Sequence, residues 1–194
     1  MNESLQHLVA LAAAEVGTRE GAVNNTGARI VEYQGATWLA PGAWPWCAAF
    51  ASWLMREWLE IETVRKALGL ATFSLAEKWR CRDASAFGWE KWAAQRQLTV
   101  LPETATARAG DFVVFDFSHI GLVAEDQPSP RATLHTIEGN TNGKGERDSE
   151  SGDGVWRKER APGLSKSYIR IFPGTSESRA SAPATSRGPR VRTR

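Results

Sequence analysis

The chain has 194 residues, 42% hydrophobic and 24% charged, with a formal net charge of +2, which suits one globular domain around a single core. No stretch approaches the roughly 20 apolar residues of a membrane span, and a near-neutral body without a recognition motif argues against nucleic acid as a partner. The basicity sits at the end, where residues 174–194 hold Arg179, Arg187, Arg190, Arg192 and Arg194 against one acid, Glu177.

Leu5, Leu8, Val9, Ala12, Ala13 and Val16 fall on one helical face, and Gly17 is a stop. The LVALAAA stretch inside it lacks a basic leader and is flanked by Glu3 and Glu15. It therefore reads as a helix of the mature protein rather than a signal peptide. The expectation is a product made in the cytoplasm without a classical signal. Residues 17–28 are rich in turn formers, 28–35 form a short helix, and 36–46 are broken by Pro and Gly. Pro45 suits the first turn of a helix. Beyond it Ala49, Phe50, Trp53, Leu54 and Trp58 recur at helical spacing, predicting an amphipathic helix of about four turns. Residues 61–97 read as largely helical, most clearly at 75–81 and 88–95.

At Ala109 the period changes. GDFVVFDF (110–117) reads as a strand, and HIGLVAE (119–125) follows so closely that the two form one bent strand or a very tight hairpin. TLHTIEGN (133–140), GVWRKER (154–160) and SYIRIF (167–172) complete the set, with a long polar loop at 139–154. Helices first and strands afterwards predict an α+β domain over 1–173, with N-terminal helices packed on a small antiparallel sheet. The segment 174–194, rich in Ser, Arg and Pro, reads as a disordered basic tail.

Cys47 stands where that four-turn helix begins. There, unpaired N–H groups and the helix dipole favour a thiolate and could hold an oxyanion. Small neighbours, Ala48 and Ala49, would leave the end open. The competing reading is a buried cysteine that merely fills space. Cys81, the other cysteine, could pair with Cys47 or be activated by its flanking arginines, Arg80 and Arg82. Of three histidines, His7 lies on a polar helix side, and His135 shares a strand with Glu138 but points the other way. His119 leads the preceding strand, with Gly121 clearing the same face, and is the better base. Glu138 could orient its ring from a paired strand. Asn140, on the same predicted face as Glu138, could bond the ring or the substrate. Trp44 and Trp46, with Trp38, are candidates for an aromatic wall around a glycan or peptide.

WPWCAAFASWL, ARAGDFVVFDFSHIGLVAE and IEGNTN together resemble the CHAP family of cysteine, histidine-dependent amidohydrolases and peptidases, relatives of the NlpC-type peptidases with a papain-like fold. TREGAVNNTGARIVEYQG also resembles the lead-in of phage-type members, and the likeness runs from about Leu5 to Phe172. It implies Cys47 as nucleophile, His119 as general base and acid, Glu138 as orienting carboxylate and Asn140 as an auxiliary polar group. It further implies a peptidoglycan hydrolase, either a muramoyl–alanine amidase or a stem or cross-link endopeptidase. The alternatives are a papain-like protease or acyltransferase acting on proteins, and a non-catalytic wall-binding module. An endolysin, a virion lysin or a secreted effector would fit equally. A holin or an immunity protein would be the associated partner, and the enzyme would act on the wall as a monomer.

Residues 59–100 are longer and richer in Trp than this resemblance leads one to expect. Asp148, Glu150 and Asp153 in the polar loop match no EF-hand spacing, and no zinc motif occurs. No metal and no cofactor are expected.

Overall fold

The computed structural model describes residues 2–144 and 152–172. Its helices are α1 (Glu3–Ala14), α2 (Ala28–Gln34), α3 (Cys47–Glu60), α4 (Glu62–Ala67), α5 (Phe73–Trp79) and α6 (Gly88–Gln95). The strands are β1 (Thr99–Pro102), β2 (Phe112–Phe115), β3 (His119–Val123), β4 (Leu134–Thr141), β5 (Gly154–Arg160) and β6 (Ser165–Arg170). They form one sheet in the order β1-β6-β2-β3-β4-β5, every neighbour antiparallel. The domain is thus α+β, of the papain-like type, with its helices ahead of its sheet. None of the described helices is long and apolar enough to cross a membrane. The tail at 174–194, and Asp148 and Glu150 of the polar loop, lie outside the described residues.

Helix α3 is the centre of the molecule. Its first nine residues, Cys47 to Met55, are all buried, so the expected amphipathic stripe widens to the whole circumference at that end. The cause is its neighbours: α1, α2, α4 and α5 on the helical side, β3 and β4 on the other. Ala48 and Ala49 are fully buried and serve close packing rather than substrate clearance. Tyr33 of α2 stacks on Trp46 at 5.5 Å and meets Phe50 and Trp53 edge-on. Phe112, Val114, Ile120, Leu122, Ile137 and Ile169 complete this core from the sheet.

The opposite face of the sheet carries a second, smaller cluster of Val113, Phe115, Val123, Leu134 and Tyr168. Because both faces are covered, β2 and β3 read as unbroken buried runs without polar alternation. They form the tight hairpin, not a bent strand: Phe115 pairs with His119 across the turn 116–118, where Ser118 adopts φ +61°. β1 is an edge strand that the pattern did not announce, only four residues long and ending in Pro102.

The Gly-Asp pair ahead of β2 has a packing reason. Gly110 holds φ +91°, and a side chain there would strike Leu5 of α1 at 2.7 Å. Asp111 accepts from Arg170 Nε at 3.0 Å and Nη2 at 2.8 Å, locking β2 to β6 inside the protein. Pro45 falls one residue before the cap of α3, not in its first turn.

Candidate active site

Helix α3 begins at Cys47, and its cap residue, Trp46, has no side chain able to cap. The start is fixed from β4 instead: Asn140 Oδ1 accepts from the backbone N–H of Trp46 at 2.9 Å. Asn140 can do this because β4 is irregular there. Its register against β5 shifts between Glu138 and Thr141, and Asn140 takes φ +54°. Simple alternation placed Glu138 and Asn140 together on one face, but the bulge sends them to different partners. Asn140 Nδ2 also donates to Asn25 Oδ1 at 3.1 Å and Glu20 Oε1 at 3.4 Å. Glu20 in turn accepts from Trp46 Nε1 at 2.7 Å and from Asn25 N at 2.6 Å.

His119 opens β3 and is fully buried. Its Nε2 meets Glu138 Oε2 at 2.8 Å. Phe115 and Phe117 stack on its ring at 5.8 and 5.7 Å. Glu138 reaches the ring across Gly121, where any side chain would lie 2.6 Å from Glu138 Cγ. The carboxylate is closed in further by Thr136 Oγ1 at 2.5 Å and by two bonds from Arg160, Nε at 3.0 Å and Nη2 at 2.5 Å. Arg160 itself is buried, with its guanidinium over Phe115 and Phe117. The second ring nitrogen, Nδ1, completes no hydrogen bond among the described residues. The Cys47 thiol lies against the ring closely enough that each group shifts the other's ionisation.

The directions of those shifts agree with an ion pair. Burial pushes the Cys47 thiol up, but the nearby charge of His119, with backbone N–H groups of Ile120 and Ala48, brings it below its ordinary value. Burial likewise opposes a charged His119. Cys47 and then Glu138 outweigh it and raise the imidazole to about 9. Burial also works against the Glu138 carboxylate, yet the bonds from Arg160 and His119 pull it down to about 2. The group can therefore hold a thiolate beside an imidazolium at neutral pH.

The other candidates separate from this cluster. Trp46 is wholly buried in the core, so its ring has no open face for a glycan. Trp44 is partly buried, its indole N–H on Ala40 O. Trp38 is 68% exposed and borders a different cleft. Phe115 and Phe117, at the hairpin, are the rings that the structure sets beside the histidine. His135 lies one residue out of phase with Thr136 and belongs to the other face. Cys81 is a free, buried thiol whose burial, offset only weakly by Arg80, pushes it up to about 12 rather than activating it. Cys47 is likewise free, so no disulfide joins them. Asp153 pairs with Arg19 at 2.7 Å and accepts from Trp156 Nε1. Among the described residues no three His, Cys, Asp or Glu side chains gather into a metal-binding group.

A cleft of about 540 Å³ opens beside the Glu20–Asn140 network, bordered by Arg19, Glu20, Asn24 and Asp153. Residues 19–21 form part of its rim, and the stretch 17–20 is bonded to β5 and the residue before it through Gly17 N to Val155 O, Val155 N to Thr18 O and Glu20 N to Asp153 O. Arg160, Glu20, Asn25 and Phe117 were not singled out by sequence reasoning. Arg160 alone had a signal: a cation on the strand expected to follow the one bearing Glu138.

The family model described as the CHAP domain matches residues 39–140. That span holds Cys47, His119, Glu138 and Asn140, while Glu20, Asn25 and Arg160 fall outside it. No curated protein and no solved structure gave a match.

Proposed function

The chain belongs to the CHAP domain family of cysteine, histidine-dependent amidohydrolases and peptidases, and on that premise we propose that it hydrolyses an amide bond of bacterial peptidoglycan, with Cys47 as nucleophile. One observation carries this reading: a thiol at the start of α3 lies against a buried imidazole whose far nitrogen is held by a carboxylate. The Cys47 thiolate attacks the carbonyl carbon of the amide. The oxygen that becomes negative is held by the backbone N–H of Ala48 at the helix start. As the C–N bond breaks, His119 gives its Nδ1 proton to the departing amine, leaving a thioester. Water, deprotonated by the now neutral His119, cleaves the thioester and returns the thiol. Glu138 keeps Nε2 protonated, so that Nδ1 is the nitrogen that exchanges the proton, and Arg160 keeps Glu138 ionised and in place. The cleft beside Glu20 and Asn24 takes the substrate chain, and the wall is where the protein acts.

Purified cell walls digested with the protein should release fragments whose new ends, read by mass spectrometry, identify the amide bond cut. Cys47→Ala and His119→Ala should each release essentially none. Full release by either variant would overturn the assignment, and cleavage of casein in place of the wall would favour a protein protease.

A further inference from the structure

A second cleft, of about 450 Å³, lies in the helical layer between the stretch leading to α3 and the ends of α5 and α6. None of its lining residues belongs to the cluster around Cys47. Trp38, whose backbone N–H bonds to Arg82 O, stands at its rim with most of its ring in solvent. Trp92 lies in the wall, its indole N–H already engaged by Trp79 O. Around them are Lys78, Arg82, Lys91 and Arg96.

The charge there is one-sided. Glu77 is neutralised within the cleft by a two-pronged bond from Arg80. Arg96 donates to the carbonyls of Trp79 and Lys78, which leaves its charge intact. Among the described residues no carboxylate pairs with Lys78, Arg82 or Lys91. Asp83 is the single remaining acid, set against Gly88, where any side chain would meet it at 2.1 Å. An exposed indole beside an unmatched set of cations on a concave surface suits a ligand with a flat apolar face and negative charge.

We propose that this cleft is a second binding site, for an anionic saccharide whose ring lies on Trp38 and whose carboxylate or phosphate is held by Lys78, Arg82, Lys91 and Arg96. Asp83 and Gln95 offer acceptors for the sugar hydroxyls. That same carboxylate disfavours a dense phosphate backbone, which sets a sugar ahead of a nucleic-acid strand. The site does not depend on the catalytic reading, because it shares no residue with it.

The test uses the full chain carrying Cys47→Ala, so that nothing is hydrolysed, and reads binding by titration calorimetry. The probes are oligogalacturonate, a sugar-phosphodiester polymer, a neutral malto-oligosaccharide of equal length and oligothymidylate. Binding of either charged saccharide, lost by about tenfold or more in Trp38→Ala and in Lys78→Glu/Lys91→Glu and weakened by added salt, is the expected result. Whichever of the two binds tighter identifies the anion. Both sets of changes are at exposed positions, and a melting temperature equal to the parent's shows that the fold is kept. Absence of binding to both charged saccharides, equal binding of the neutral one, tighter binding of oligothymidylate, or affinity unchanged in the variants would each overturn the proposal.

Discussion

A thiol, an imidazole and a carboxylate are ordinary groups; what alters them here is one guanidinium and their burial. Arg160 lets Glu138 remain an anion in the interior, Glu138 helps His119 to be a cation, and His119 draws the proton from Cys47. In the proposed mechanism the pair forms as Cys47 ionises, below the usual thiol range, and is lost as His119 deprotonates near pH 9. kcat/KM should therefore show an acid limb, a plateau and an alkaline limb near 9, the two limbs belonging to the pair jointly. In Glu138→Gln the carboxylate that raises His119 is gone. The alkaline limb should move to lower pH and kcat should fall by about a hundredfold. Arg160→Met strands a buried carboxylate. It should cost about 3 kcal/mol in urea unfolding and move the acid limb upward, since Glu138 then takes a proton at higher pH. A loss of stability with an unmoved pH profile would show Arg160 to be structural only. Cys47, His119 and Glu138 were legible in the sequence because each stands at an element's edge in a recognisable setting. Arg160 and Glu20 were not, because only the completed fold shows that they face inward.

At the scale of elements, the site depends on how β4 meets the start of α3. Gly139 allows the approach: a side chain there would lie 2.6 Å from Phe50 Cβ and 2.7 Å from the Trp46 ring. Gly139→Ala should destabilise the protein by about 1–3 kcal/mol and lower kcat as well, because Glu138 and Asn140 ride on the same strand. Chemical denaturation and steady-state kinetics on one preparation check both, and wild-type kcat in the variant would refute the link. The helices and five of the six strands could be read from periodicity and turn residues. β1 escaped because a four-residue edge strand has too few positions to show a pattern. The bulge at Asn140 escaped for a different reason: a strand's alternation says nothing of where it breaks.

Across the whole molecule, buried ions make stability depend on pH in opposing senses. Glu138, ordinarily near 4.5, is held at about 2 in the folded protein. Its contribution is complete above 4.5 and disappears as the pH falls through about 2. Asp111 acts the other way, since burial raises its value despite Arg170. The melting temperature of the wild type should fall more steeply between pH 4.5 and 2 than that of Glu138→Gln. Parallel curves would mean that Glu138 is not held low. The helix-then-sheet order, which the sequence pattern displayed plainly, also decides which residues can meet.

The joint at the start of α3 draws on Glu20, Trp46 and Asn140, and the ionisation of Cys47 draws on residues as late as Arg160. A ribosome delivers these parts in order, with Cys47 emerging long before its helpers. Until β3 docks, the proposed nucleophile lacks the imidazole that lowers it and keeps the pKa of an ordinary thiol. Chain order would therefore withhold activation of the proposed nucleophile until the strands that carry its partners have docked.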